Sequence, residues 1–368
     1  MTARVWLFAK AACRSTTRAL SVSDVAPFFC NKHAAARYRA TLQALRNGAA
    51  QRFAASETEE FKREGSRMSA TEAIHFEFFA MGSPCALSLY DHLQGDTAQV
   101  AEAATAEVRR IERRYSRYIA DSLLCRINRA ANGGNSICVD LETADLIDHA
   151  FAAHARSHGL FDVTSGLMRQ IWNDEIDRVP REAEIAAMLA HIGLDKVVWR
   201  RPKLTFLVPG MELDFGGVAK EYAADRAAQV CRLRGARHGL VNLGGDIAVV
   251  GPHPDGTPWR IGIRDPMGRK AAVATLFVPS GGVATSGDYE RFFEVEGRRY
   301  SHAINPKTEW PVAGLPSVTV AADTCLTAGM ISTIALLMGD AGPQWLGTAG
   351  AAYLYVESTG TLGGSILS

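Results

Sequence analysis

Four stretches of the chain set polar, titratable or hydroxyl-bearing residues inside otherwise apolar elements, where burial is costly unless a partner or ligand satisfies them. In the first, Glu212-Leu213-Asp214-Phe215-Gly216-Gly217-Val218-Ala219-Lys220-Glu221-Tyr222, an acid and paired glycines precede a helix that carries a lysine one turn inside. Free amides and the positive end of the helix dipole attract anions there, and glycines let a phosphorylated ligand approach the backbone. The stretch is a phosphate-binding candidate, although by itself it reads more simply as Asp214 capping the helix and Lys220 reaching solvent. The second, Leu240-Val241-Asn242-Leu243-Gly244-Gly245-Asp246-Ile247, is a buried strand ending in Gly-Gly-Asp. An aspartate so placed can meet a ribose hydroxyl or orient a lysine, and the same triplet is ordinary turn chemistry. It is not the GxGxxG order that opens a helix after a strand, so a Rossmann reading is disfavoured. The third, Tyr300-Ser301-His302-Ala303-Ile304-Asn305-Pro306, puts an imidazole beside a hydroxyl at a strand end. Its pKa near neutrality suits a general base, and equally a hydrogen-bonded core histidine. The fourth, Ala328-Gly329-Met330-Ile331-Ser332-Thr333, places hydroxyls in an apolar helix, where a threonine can also satisfy itself on the carbonyl one turn back.

The elements that must carry these groups begin at about residue 73. Residues 75–90 read as a strand pair or bent strand broken at Gly82-Ser83-Pro84, and residues 97–118 as a helix whose Val100, Ala104, Val108, Ile111 and Tyr115 form one apolar stripe. Further helices are expected over residues 142–157, 182–192 and 217–234, with a strand over 197–207. Short β runs then follow at 240–242, 247–250, 259–264, 272–278, 282–285, 291–295 and 317–321, before an apolar helix at 324–337. The mixture is α/β and α+β, with more antiparallel sheet than a pure βαβ repeat gives.

Composition closes off several classes of function. At 368 residues with 47% apolar and 21% charged residues, the chain has the makings of a substantial core. Lys and Arg (40) nearly cancel Asp and Glu (39), so no broad positive field marks a nucleic-acid partner. No window approaches the roughly 18 consecutive apolar residues that span a bilayer, so no integral membrane segment is expected. The seven cysteines are scattered with no CxxC pair, which argues against a thiolate zinc site and a disulfide framework. Residues 1–67 differ from the rest: they hold twelve Lys and Arg against five Asp and Glu, a net +7, and leave net −6 behind them. They are expected to be a basic leader, either a flexible arm or sequence upstream of a start at Met68, with an Arg-rich, acid-poor targeting presequence as the remaining reading. Neither a secretory signal nor a lipid-anchored cysteine is recognised in them.

Taken in order, these stretches resemble the FAD:protein FMN transferase family, the ApbE-like flavin transferases, from about residue 73 to about residue 339. Phe79-Ala80-Met81-Gly82-Ser83 looks like the family's opening strand, and Tyr115-Ser116-Arg117-Tyr118, with Asp121-Ser122 and Ile127-Asn128, like its Tyr-then-Asp-Ser segment. Gly159-Leu160-Phe161-Asp162-Val163-Thr164 is similar to its Phe-Asp-x-Thr motif. Residues 213–220 are similar to its Asp-x-Gly-Gly-x-Ala-Lys helix start, residues 241–247 to its Asn-x-Gly-Gly-Asp strand, and residues 301–306 to its Ser-His segment. The resemblance implies an ApbE-like fold over residues 73–358, with mixed, largely antiparallel sheets packed by helices in two interleaved lobes. It implies cleavage of FAD, transfer of FMN to a threonine or serine of an acceptor flavoprotein subunit in a bacterial redox complex, and release of AMP. On that reading Met81, Tyr118, Leu160, Phe161, Asp162, Asp214, Lys220, Ser301 and Ile304 would bind FAD. Lys220 would balance phosphate charge, His302 would take the acceptor's proton, and Gly217, Leu326 and Thr333 would ligate Mg²⁺, a hard cation suited to phosphoryl transfer. Family members act on either side of the bacterial inner membrane, so the compartment stays open.

Three departures accompany the resemblance. Where the family has Ala-Asp-Ala-x-x-Thr, with the Asp on the metal, this chain has Gly329 four residues before Thr333, so the expected carboxylate is missing. Asn305 stands where an Asp is usual, and Glu309 where a Gly is usual. Two other readings use the same pocket: a metal-dependent FAD pyrophosphatase that releases FMN and AMP, and a flavin-binding protein that holds FAD without turnover.

Overall fold

The computed structural model describes residues 72–367, apart from 92–95, 174–177, 270–271, 288–291, 296–297, 302 and 309. The basic leader, with Cys13 and Cys30, lies outside the described residues. Along the chain the strands are β1 (Ala73–Ala80), β2 (Ser83–Tyr90), β3 (Ser136–Cys138), β4 (Val197–Arg200), β5 (Lys203–Phe206), β6 (Gly239–Leu243), β7 (Asp246–Gly251) and β8 (Trp259–Ile263). They continue as β9 (Ala274–Val278), β10 (Gly282–Gly287), β11 (Phe292–Val295), β12 (Arg298–Ser301), β13 (Ser317–Ala322), β14 (Ala352–Val356) and β15 (Leu362–Gly363). The helices are α1 (Thr97–Tyr115), α2 (Leu123–Asn132), α3 (Leu141–Arg156), α4 (Glu182–Leu189), α5 (Ala219–Leu233), α6 (Cys325–Leu337) and α7 (Gly342–Leu346).

Eight strands form one antiparallel sheet in the order β1-β2-β6-β7-β10-β13-β14-β15. Helices α1, α5 and α6 lie on one face of it, and the antiparallel ribbon β8–β9 covers an apolar patch on the other. Strand β7 shows why its sequence is apolar without a break. Ala248 and Val250 face the helices while Ile247 and Val249 face the ribbon, so a period of two serves two cores at once. At the middle of the sheet β7 meets β10 over two residue pairs, Gly282 with Ala248 and Val283 with Ile247, a ladder as short as that of the terminal strand β15 with β14.

The smaller lobe is an insertion between α1 and α5. It holds the three-stranded sheet β3-β5-β4, α2 to α4, and a cluster of Leu167, Met168, Trp172, Ile185 and Ile192. The expected strand over residues 197–207 is in fact the hairpin β4–β5, turned at Arg201-Pro202, because the chain doubles back to pair Val197 with Phe206. Helix α1 stops at Tyr115, three residues short of expectation, as Ser116 takes an extended backbone. Helix α2 was not foreseen: Ser122 caps it by accepting the Cys125 amide at 2.9 Å, and Leu124, Ile127 and Ala131 form its buried stripe.

Two polar bridges fix the elements around the four chemical stretches. Asn128 on α2 clasps the backbone of Leu213 from both sides, accepting its N–H at 2.8 Å and donating to its carbonyl at 2.9 Å. Asp225 on α5 reaches across to the start of α6, where its two carboxylate oxygens accept the amides of Cys325 and Leu326, each at 2.9 Å. Burial pushes the Asp225 carboxyl up, and those two amides draw it partly back.

Replacing Asp225 by Ala leaves two amides of a packed helix start without acceptors. The expected loss is about 2–3 kcal/mol, read as a lower denaturant midpoint at unchanged slope; a midpoint within error of the parent protein would rule out the cross-helix cap. Asn128→Ala should cost about 2 kcal/mol for the same reason, and hydrogen exchange at the Leu213 amide should speed up in step with it.

Candidate functional site

Two hairpin tips, one helix start and one apolar helix converge at one edge of the large sheet. The β1–β2 tip is Met81-Gly82 and the β6–β7 tip is Gly244-Gly245, with φ of 52°, 72°, 60° and 98° in that order. Two left-handed residues in a two-residue loop match the right-handed twist of the paired strands. The tips touch: the Gly244 amide donates to the Pro84 carbonyl at 3.0 Å, and a Cβ on Gly244 would stand 2.6 Å from Ser83 Oγ. Met81 is the non-glycine member of this set, and its amide is held by Glu112 Oε1 at 2.7 Å. A left-handed backbone costs an ordinary L-residue about 1–2 kcal/mol, so a side chain is kept there against the preference of the turn.

Lys220 rises from the first turn of α5 toward these tips. Its Nζ lies 2.8 Å from Asp246 Oδ2 and 3.7 Å from where a Cβ on Gly244 would be. The plain reading of Lys220 as a solvated side chain is therefore corrected: it is 24% exposed at the side chain, and Asp246 is 5% exposed. The plain reading of Asp214 also fails. Helix α5 has Val218 at its N-cap with no side-chain cap, and Asp214 Oδ1 instead accepts the Gly216 amide at 2.8 Å. Its other oxygen pairs with Arg117, with the Arg169 guanidinium 3.9 Å away. Burial works to raise the Asp214 carboxyl, but the two guanidiniums and the Gly216 amide outweigh it and hold the group below the usual carboxylate range. Glu212, paired with Arg169, is pushed upward by its burial.

Arg117 escaped the sequence reading although it lies inside a quoted motif. It bridges Asp214 and Tyr118, donating to the Tyr118 hydroxyl at 2.7 Å with its guanidinium carbon 4.9 Å from the ring centroid. One aromatic face is thereby engaged by a cation. Phe161 reaches the same helix start: its ring carbons stand 3.9 Å from a Cβ position on Gly217. Leu160 packs against the main core beside it. Asp162 is committed to the protein itself, accepting from Thr164 N and Oγ1 at 2.8 and 2.6 Å and from Leu194 N at 3.0 Å, with His154 Nε2 3.6 Å away. It staples the loop that presents Phe161.

Ser301 and Ile304 come from the far side. Ser301 Oγ accepts the Ala303 amide at 3.1 Å, and Ile304 bridges to Pro311 and packs on the Trp172 cluster. The loop after them meets the Phe161 segment, since Lys307 Cε lies 3.6 Å from a Cβ position on Gly159. His302 lies outside the described residues, as does Glu309.

On α6, Thr333 Oγ1 lies 3.0 Å from Ser286 Oγ of β10, which also bonds Ser332 at 2.9 Å. Leu326 gives its amide to Asp225, and as the second residue of α6 its carbonyl belongs to the helix ladder. Gly329 is packed tightly: a Cβ there would lie 2.5 Å from Glu221 Cγ. Glu221 is itself buried, and burial together with the nearby Asp246 charge pushes its carboxyl up to about 8. Neither Glu221 nor Ser286 was a candidate from sequence, because their partners lie more than 40 residues away. Among the described residues no group of three His, Cys, Asp or Glu side chains could hold a metal ion, so any cation here needs carbonyl or hydroxyl oxygens as well.

Comparison with known proteins agrees with this geometry. The model of the ApbE family matches residues 81–354. The FAD:protein FMN transferase of Haemophilus influenzae is 29% identical over 295 residues, covering 77% of this chain and 82% of that protein. The Salmonella typhimurium protein of the same name is 34% identical over 237 residues, covering 61% and 67%. Among solved structures, the ApbE protein of Thermotoga maritima superposes with a TM-score of 0.73 at 34% identity, covering 80% of this chain and 97% of its own. The flavin transferase ApbE of Vibrio cholerae gives 0.73 at 25% identity, with the same coverage. The matched span takes in both hairpin tips, the glycine-led start of α5 and all of α6, and on that footing the chain belongs to the ApbE family.

Proposed function

We propose that this chain is an FAD:protein FMN transferase, as its relatives are named. The observation that carries the reading is Lys220 Nζ, held 2.8 Å from Asp246 beside the Gly244-Gly245 tip at the start of α5. A diphosphate needs a fixed cation and close approach to it, and the Lys220–Asp246 pair beside the glycine turn supplies both.

FAD enters as substrate. Phe161 and Met81 offer the apolar wall beside the helix start, and Tyr118 offers a ring already steadied by Arg117. Lys220 meets phosphate charge, while Asp246 fixes the ammonium so that little reorganisation is needed as charge moves in the transition state. The acceptor hydroxyl attacks the flavin-side phosphorus, the bond from that phosphorus to the bridging oxygen breaks, and AMP departs with that oxygen. The hydroxyl proton passes to a base, the role that the sequence resemblance gives to His302. Gly217 through its carbonyl and Thr333 through its hydroxyl would hold Mg²⁺, with Leu326 a lesser donor because its carbonyl sits in the helix ladder. Bound there, the cation would offset phosphate charge in the transition state. Asp162, Ser301 and Ile304 would shape the pocket, Asp162 by holding the loop and Ser301 and Ile304 from the segment that packs on the Trp172 cluster through Ile304.

The acceptor is a flavoprotein with a threonine or serine at the modification site, which we place in a bacterial redox complex. No helix among the described residues is long and apolar enough to cross a membrane.

Incubating the protein with FAD, Mg²⁺ and an acceptor flavoprotein should yield acceptor that stays fluorescent in a denaturing gel, with AMP in equal amount. FMN and AMP free in solution with no labelled acceptor would instead identify a pyrophosphatase, and intact FAD would identify a carrier. Lys220→Met should lower the transfer rate by about 10²–10³-fold, with thermal unfolding used to confirm that the variant is folded; a rate within threefold of the parent removes Lys220 from the site.

A further inference from the structure

The carboxylate of Glu221 has no task in the chemistry set out so far. Glu221 is 7% exposed, and its Oε2 has no hydrogen-bond partner among the described residues. A buried carboxyl oxygen left this way is costly in either protonation state unless a cation or donor meets it. Its neighbour Lys220 is already engaged with Asp246 at 2.8 Å. What the carboxylate does face is the bare backbone of Gly329 on α6, where a Cβ would stand 2.5 Å from Glu221 Cγ and 3.0 Å from both Cδ and Oε1. Position 329 is where the resemblance expects an aspartate on the metal. The Glu221 carboxylate therefore fills the volume that a side chain at 329 would need, and in this packing the two positions cannot both carry one.

Spacing completes the arrangement. Gly329 and Thr333 are four residues apart on α6 and stack on one face of it, while Gly217 lies just before α5, whose third residue is Glu221. The Glu221–Gly329 contact sets the start of α5 against that face of α6, so the Glu221 carboxyl, the Gly217 carbonyl and the Thr333 hydroxyl all belong to the two segments that meet there. All three are hard oxygen donors of the kind a small divalent cation takes.

We propose that Glu221 supplies the metal carboxylate that position 329 lacks, so that Glu221 with the Gly217 carbonyl and the Thr333 hydroxyl forms a divalent-cation site. The ligand has moved from α6 to α5 while its charged end has kept its place. The use made of the cation rests on the transferase reading; its binding does not.

The test is titration of the purified full chain with MnCl₂, followed by the loss of the free-ion electron paramagnetic resonance signal. Glu221→Gln keeps the shape and removes the charge, and it should weaken Mn²⁺ by at least about tenfold, the lower end of what losing even an outer-shell partner costs a metal site. The reciprocal variant, Glu221→Gly together with Gly329→Asp, should bind Mn²⁺ within about threefold of the parent, since the carboxylate then returns from the other helix. Glu221→Asp should be intermediate, and circular dichroism identifies any variant that fails to fold. Equal Mn²⁺ affinity in the parent and Glu221→Gln overturns the proposal, and so does a parent that binds no Mn²⁺. FAD binding without metal, read by flavin fluorescence, keeps the two readings apart. A parent that binds Mn²⁺ through Glu221 but neither holds nor cleaves FAD loses the transferase assignment and keeps the cation site. One that transfers FMN with Mn²⁺ affinity indifferent to Glu221 does the reverse.

Discussion

The ion pair between Lys220 and Asp246 is the constraint on which the site turns. At 24% and 5% side-chain exposure both groups give up most of their hydration, and in such pairs the Coulomb gain often does no more than offset that loss. Its value here is positional. Asp246 is the first residue of β7 and Lys220 the second of α5, so one contact ties the sheet edge to the helix that packs on it. The glycine turn that leads into Asp246 lies next to this pair: a Cβ on Gly244 would stand 3.7 Å from the ammonium.

A second polar tier stands one layer out and works through the inserted lobe. Arg117 and Arg169 converge on the Asp214–Glu212 pair, and Asn128 holds Leu213 between those two acids. The segment leading into α5 is thus gripped from three elements before the helix begins. Asp162 does the same for the loop bearing Phe161, with both of its oxygens used inward. These acids act by placing backbone, which is why several residues that look catalytic by type are better described as holding the residues that touch ligand.

Local pattern made much of this readable. The stripe of α1, the apolar helix α6, the alternation along the central strands and the Gly-Gly turns each carry their own signal within a dozen residues. Helix α2 did not, because its ten residues include two arginines and two asparagines and its apolar stripe is three residues long. Strand β14 alternates cleanly as Ala-Tyr-Leu-Tyr-Val, yet it follows the last of the motifs and went unassigned. Within the candidate site, the motifs pointed to Asp214, Lys220 and Thr333, whereas the contacts of Asp225, Glu221 and Ser286 depend on packing between segments 40 or more residues apart. Periodicity reports which face of an element is buried; it does not report what that face meets.

The two-pair junction of β7 with β10 has a further mechanical meaning. On one side of it β1, β2, β6 and β7 form a four-stranded leaf that carries α5; on the other, β10, β13, β14 and β15 form a second leaf that carries α6. The seam lies between the strands that carry the two helices, and the Asp225 clamp from α5 to the start of α6 crosses it, while the Ser286–Thr333 bond ties α6 to β10 within the second leaf. A bend of the sheet at this junction would change the gap between α5 and α6, and the clamp opposes it.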